Sequence, residues 1–213
     1  LEVTSSWCYW AEPMWAELKQ RYAGRVTFAW KIAQMNAADY SRSREQCDWF
    51  YRRSGLAMRS PFMLNSAWWE PVDEDAMVAP NLVAEAARDF GFEGDEIRLA
   101  LAHACLREGR PILRLPVAIE VAVKAAAGKL EEGKLRARAE SAEVRARVRA
   151  STQEFFSHQL NQRPAFILQD TIGDQAVFSG LVRIEPLAAT IDTMLADVAA
   201  YAAHAAHFGQ PPA

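Results

Sequence analysis

The chain has 213 residues, 51% of them hydrophobic and 24% charged, with a net charge of −3. That length and balance fit one well-cored domain, or one domain with a large insertion, and exclude a disordered or fibrous chain. The slight negative charge supplies no basic field for nucleic acid or an anionic membrane surface, and no apolar run approaches the roughly 20 residues of a spanning helix.

Leu1–Thr4 reads as a strand, followed by a helix from Trp7 to Tyr22 whose apolar residues Trp7, Trp10, Ala11, Met14, Trp15 and Leu18 recur at helical spacing. Pro13 sits inside that pattern and is expected to bend the helix. Gly24 ends the element, and Val26–Ile32 alternates as a second strand. From Met35 to Pro80 the pattern is irregular. It holds one short helix, Ser43–Ser54, and a loop, SPFMLNSAWWEP, whose aromatics read as exposed.

From Asn81 to His158 the chain is helical in pattern. PNLVAEAARDFG starts with a proline beside a capping asparagine and stops at Gly91. GDEIRLALAHACLREG and PVAIEVAVKAAAG follow as amphipathic helices, and Glu131–His158 supplies one or two more. The period then changes. Arg163–Leu168 reads as a strand opening at a proline, Gly173-Asp174 as a turn, Ala176–Ser179 as a second strand ended by Gly180, and Glu185–Phe208 as an alanine-rich helix. The order defines an α/β class: a small mixed sheet interrupted by a helical insertion, with the first two strands parallel by the right-handed crossover rule.

Three cysteines, Cys8, Cys47 and Cys105, stand far apart with no C-x-x-C pair. Such a set argues against a disulfide framework or a cysteine-rich zinc site and fits a reducing, cytoplasmic compartment. The first residue is Leu1 rather than Met, so export stays open. His204 and His207 lack a third ligand nearby in sequence, which leaves no metal site to expect. The glutamates interleaved in RARAESAEVRARVR mark a solvated, ion-paired helix face rather than a nucleic-acid surface.

The chemistry-bearing stretch is TSSWCYWAEP, Thr4–Pro13. Ser5 and Ser6 are good N-cap residues, and a capping serine can also serve a ligand. Cys8 lies one turn into the helix, where cysteines are usually buried and inert. Phe62, Trp68 and Trp69 either line an apolar substrate pocket or cover the edge of the core.

With these elements in order, the chain resembles the DsbA-like branch of the thioredoxin superfamily, in which a thioredoxin fold is split by a helical domain. That branch includes kappa-class glutathione transferases and 2-hydroxychromene-2-carboxylate isomerases. Ser5-Ser6-Trp7-Cys8-Tyr9 is similar to the family's C-P-W-C-Y or S-P-Y-S-W segment. Arg163-Pro164-Ala165-Phe166-Ile167 is similar to its cis-proline strand, Phe178-Ser179-Gly180 to the segment before its last helix, and LREGRPILRLPVAIEVA to the middle of its insertion.

The resemblance implies a discontinuous thioredoxin-like domain, 1–35 with 159–213, and an irregular loop plus helical insertion, 36–158. It implies an enzyme that uses glutathione, with Ser5 and Cys8 as catalytic candidates and Ser6, Trp7, Arg163, Pro164, Ser179 and Gly180 around the thiol. Phe62, Trp68 and Trp69 are then expected to hold an aromatic or carboxylate-bearing small molecule, in a monomer or a homodimer. The departures from the family pattern sharpen this. Ser5 stands where dithiol members carry the attacking cysteine, so a lone Cys8 cannot close an intramolecular disulfide. In the transferase and isomerase members a serine at this place stabilises the thiolate of glutathione. Ser6 replaces the usual proline, Arg163 replaces a small or apolar residue, and Leu181 or Val182 stands where glutathione-binding members have an acid, the next carboxylate being Glu185. Three readings follow: a glutathione-dependent transferase or isomerase working through Ser5, a monothiol oxidoreductase working through Cys8, and a non-catalytic binding descendant.

Overall fold

A computed structural model describes residues 1–71, 73–180 and 183–209, leaving aside the side chains of residues 74 and 75. The short helix α1, Ser6–Trp10, is capped by Ser5, whose hydroxyl accepts the Cys8 N–H. A turn at Ala11 separates it from α2, Glu12–Arg21. The single bent helix expected over Trp7–Tyr22 is therefore two. Pro13 sits in the first turn of α2, where its missing N–H costs nothing, so the proline opens a new helix instead of bending an old one.

Next comes α3, Arg44–Ala57, longer at its end than Ser43–Ser54 and capped by Ser43. One turn, α4 at Glu74–Met77, leads into α5, Ala79–Ala87. Pro80 and Asn81 thus lie inside the first turn of α5. Asn81 caps nothing and is fully buried, with its amide on Glu2. Then come α6 (Glu96–Leu106), α7 (Leu115–Ala125), α8 (Glu132–Ala139) and α9 (Ala142–Ser157).

The strands β1, Ala165–Gln169, and β2, Gln175–Ser179, pair antiparallel with Phe166 opposite Phe178. The long α10, Ile184–Phe208, closes the described chain. Among the described residues no helix is long and apolar enough to cross a membrane.

Among the described residues β1 and β2 form the only ladder, so the strands expected at Leu1–Thr4 and Val26–Ile32 are not formed as such. One parallel-type contact survives: Leu1 donates to the Lys31 carbonyl at 2.9 Å and accepts from the Ala33 N–H at 2.7 Å. The rest of the ladder is replaced by side chains. Glu2 N–H points to Cys8 Sγ (3.3 Å), Val3 N–H to Asn81 Oδ1 (3.2 Å), Gln34 N–H to Thr152 Oγ1 (3.0 Å) and Met35 N–H to Glu2 Oε2 (3.0 Å). Every one of these donors is satisfied without a neighbouring strand.

Two cores result. The larger joins Val3, Trp10 and Trp30 to α3, α5, α6, α7, α8 and α9 through residues such as Leu82, Leu101, Ile119 and Leu135. The smaller packs Leu18 and Tyr22 of the first segment against Leu187 and Ile191 of α10, with Phe166, Leu168 and Phe178 of the hairpin completing it. Helix α1 lies against α3 and α6, where the apolar N-terminal segment meets the helical block.

Candidate functional site

The site grows from the first nine residues. Burial of Val3, Cys8 and Trp10 on one side of the turn into α1 draws Glu2 inside with them, leaving it 0% exposed. Its carboxylate is met by the Asn81 amide at 2.8 and 2.9 Å, the Met35 N–H, the Thr4 hydroxyl (3.3 Å) and the Tyr40 hydroxyl (3.5 Å). All are neutral donors. Burial therefore pushes the Glu2 carboxyl above the ordinary carboxylate range, with the Met35 and Asn81 hydrogen bonds offsetting only part of it.

Cys8 is 4% exposed. Burial pushes its thiol up as well, against the pull of the Glu2 N–H and the Ser5 hydroxyl. A buried thiol held protonated is a poor nucleophile. Cys47 and Cys105 are likewise free, buried and pushed up by desolvation. Ser5 is the more accessible partner at 8%, and its oxygen accepts the Cys8 N–H at 3.4 Å. Ser6 and Trp7 are half-buried beside it.

The peptide bond between Arg163 and Pro164 is cis, and pairing of Ala165 with Ser179 brings Arg163, Pro164, Ser179 and Gly180 to one end of the hairpin. The Arg163 guanidinium turns inward. It donates to the carbonyls of Ala33 and Gln34 and lies 4.6 Å from the Phe155 ring centre, so it faces the chain's own backbone rather than an open ligand position. Segment 33–35 is thus the strap between the two groups: Ala33 and Gln34 hold Arg163, and Met35 holds Glu2. Leu181 and Val182, the expected place of an acidic anchor, lie outside the described residues.

Two cavities flank this arrangement. One, about 580 Å³, is lined by Gln34, Met35, Asn36, Tyr40, Arg149 and Phe156, among others, and so opens on the strap itself. The other, about 1010 Å³, lies at the opposite end of α1, where Tyr9, Trp10, Phe62 and Leu99 form its walls; neither Ser5 nor Pro164 lines this cavity or the strap-side one. Of the loop aromatics only Phe62 lines it. Trp68 is a core residue whose indole N–H donates to the Tyr51 hydroxyl at 2.8 Å, and Trp69 donates to the Ser41 carbonyl at 2.7 Å. The loop is therefore less exposed than its composition suggests, because two indole N–H groups find partners inside.

Glu2 and the Tyr9–His103 pair carry no expectation from the sequence, and Asn81 carries only that of a cap. A carboxylate in an apolar strand was the available sign for the first. The others depend on contacts far apart in the chain. The arginine-rich face carries ion pairs: Arg138 with Asp89 and Glu143, Arg147 with Glu85 and Asp89, and Arg136 with Glu132. His204 and His207 are both exposed on α10, against Phe208. No cluster of three or more metal-ligating side chains forms among the described residues.

This geometry is that of a thioredoxin-like fold carrying a large helical insertion, the DsbA-like arrangement. The chain is similar to a solved structure from Nitrosomonas europaea described as a "putative protein disulfide isomerase", with a TM-score of 0.71 and 18% sequence identity over 92% of this chain and 95% of that one. No family model matches the chain, and no curated protein does. The likeness establishes the fold, while the site decides the chemistry.

Proposed function

We propose that the protein is a thiol-dependent enzyme, a glutathione transferase or isomerase, in which Ser5 faces the thiol of a bound ligand and Cys8 is structural. The burial of Cys8 carries this reading. With its own sulfur enclosed and protonated, the chain has no competent nucleophile in the motif, so a reactive thiol has to arrive with a ligand. Ser5 accepts the Cys8 N–H, and the proton its hydroxyl turns toward the Cys8 sulfur is the one an incoming sulfur would take instead. The strap-side cavity suits a small polar peptide, since Arg149 can meet a carboxylate and the backbone of Gln34 to Asn36 runs along it. Glutathione supplies the thiolate; this chain's residues bind it, favour its ionised form through Ser5, and leave the larger apolar cavity for a co-substrate.

Calorimetric titration with glutathione tests the reading. Wild type and Cys8→Ala are expected to bind alike, and Ser5→Ala to bind about tenfold more weakly, the effect of one hydrogen bond to a charged group. The same protein is expected to leave insulin disulfides intact. Absence of glutathione binding in wild type and Ser5→Ala alike rejects the enzyme and favours a binding descendant in which Ser5 only caps α1. Insulin reduction lost in Cys8→Ala would instead restore the monothiol reading.

A further inference from the structure

The larger cavity has a reactive edge that no part of the thiol reading uses. Tyr9, one residue beyond Cys8, has its hydroxyl 3.3 Å from Nδ1 of His103 on α6. On the other side of the ring, Nε2 of His103 is 3.7 Å from Glu108 Oε1. All three residues line the cavity. Its remaining walls are largely apolar, including Trp10, Met58, Phe62, Leu99 and Val121, and Trp10 stacks on Phe62 with ring centres 5.2 Å apart. A volume of about 1010 Å³ is at the upper end of what small-molecule sites offer.

The backbone that carries Glu108 is held in place. Gly109 adopts φ +71°, and a Cβ there would lie 2.8 Å from Asn65 and Ala67, so the chain passes this point only as glycine. Asn65 N–H also bonds the Leu106 carbonyl at 2.8 Å. The turn after α6 is thereby locked against the loop that contributes Phe62.

The hydrogen-bond directions define the ligand. Glu108 Oε1, at 3.7 Å, is too far from Nε2 for a hydrogen bond, but its charge favours the tautomer with the proton there, leaving Nδ1 as an acceptor. The Tyr9 O–H then donates to Nδ1, and the Tyr9 oxygen has lone pairs but no proton to offer. A ligand that only accepts hydrogen bonds finds no donor at Tyr9; a ligand with its own hydroxyl does find an acceptor. An aliphatic alcohol is too weak an acid to pass that proton on, whereas a phenol or enol lies close enough to imidazole in acidity.

We propose that Tyr9 and His103 form a proton relay at the edge of this cavity, and that the cavity takes a flat apolar molecule carrying one weakly acidic hydroxyl. The ligand O–H breaks and its proton goes to the Tyr9 oxygen. The Tyr9 proton moves to His103 Nδ1, and the imidazolium pairs with Glu108. The products are a bound phenolate or enolate, a neutral tyrosine and a charged histidine, with no proton lost. Other charges facing the cavity are Arg59, Arg110 and Lys124 against Glu12 and Glu96. Glu12 is tied to Arg98 and Arg110 to Glu120, which leaves Arg59 and Lys124 against Glu96 and Glu108, a balanced set in which the charge on His103 is what the bound anion meets. As the seat of a co-substrate the cavity extends the function proposed above, but the relay needs no thiol, so its failure and that of the glutathione reading are separable.

The test uses 4-nitrophenol, whose anion is coloured, and 4-nitroanisole, which has the same ring and no proton to give, both without glutathione. Wild type is expected to bind nitrophenol about tenfold more tightly than nitroanisole and, at about pH 7, to show a larger nitrophenolate fraction in the bound than in the free probe. Tyr9→Phe keeps the ring, and His103→Gln alters a side chain 53% exposed, so both are expected to fold and to bind nitroanisole as wild type does. Both are expected to lose about nine-tenths of the bound phenolate signal. Ala100→Trp, which fills the cavity, is expected to abolish binding of both probes. Failure of wild type to bind nitrophenol overturns the proposal. So does equal phenolate signal in Tyr9→Phe, or unchanged binding in Ala100→Trp, which would place the probe elsewhere.

Discussion

Two buried acid clusters tie the first helices to the helical block, and they are built on opposite principles. Around Arg98, which is 3% exposed, every charge is answered. Its guanidinium is bidentate to Glu12 and also donates to Asp95, while Asp95 in turn accepts from Lys19 at 2.7 Å and from the Trp15 indole. Burial pushes Asp95 up, but the Lys19 hydrogen bond and Arg98 outweigh it and hold the carboxyl below its usual range. Around Glu2 the donors are neutral, and the cation held by the strap, Arg163, spends its hydrogen bonds on carbonyls. Compensated charge braces α2 against α6. The same burial that raises the Glu2 carboxyl keeps that end of α1 apolar in character and the Cys8 thiol protonated.

The comparison breaks most readily at Arg98. Arg98→Met leaves Glu12 and Asp95 facing each other with only Lys19 between them, and a partner lost from a buried ion cluster costs about 3–5 kcal/mol. The denaturant midpoint is expected to fall accordingly with an unchanged slope. A loss below about 1 kcal/mol would mean that the cluster is solvated and is not a brace.

Glu2→Gln addresses the other cluster and is expected to have a smaller effect, of opposite sign. The folded carboxyl titrates above its unfolded value. Its contribution to stability is therefore complete below the unfolded value and is lost as pH rises through the folded one. Glutamine does not ionise and keeps an acceptor for Met35 and Asn81. The variant should match wild type near pH 4, to within about 0.5 kcal/mol, and become the more stable protein toward about pH 8. Parallel stability profiles for the two proteins across that range would show that Glu2 is ionised in the fold with an undisclosed counter-charge.

Where one element dictates its own period, the sequence already displayed it. The hairpin, α6, α7 and α10 lie within a few residues of their expected limits, because apolar spacing and the Gly173-Asp174 turn are local properties. The first two strands were misjudged for a non-local reason. Their alternation is genuine, but in the first of them Cys8 and Asn81 take the Glu2 and Val3 amides that a ladder would have used. Ser5 was legible as a cap, and Phe62 as an aromatic on a loop. Trp68 and Trp69 carry the same kind of signal as Phe62, and only the partners Tyr51 and Ser41 separate them from it. Tyr9 and His103 stand 94 residues apart, and nothing in either neighbourhood points to the other.

The smallest expected effect asks how much of the brace is supplied from outside. Lys19 is 41% exposed, whereas its partner Asp95 is 15% exposed. In Lys19→Met, Asp95 keeps Arg98 and Trp15, so a loss of about 0.5 kcal/mol is expected at low salt, shrinking as salt screens the pair in wild type. The pH dependence is the sharper readout. A carboxyl held below its unfolded value contributes stability above that value and loses it as pH falls through the folded one. Removing Lys19 raises the folded value toward the unfolded one, so the variant should show a shallower fall in stability on acidification, while Glu2→Gln leaves that limb as it is. An acid limb identical to wild type in Lys19→Met would assign the whole depression of Asp95 to Arg98 and make the brace a matter of three residues, Glu12, Asp95 and Arg98.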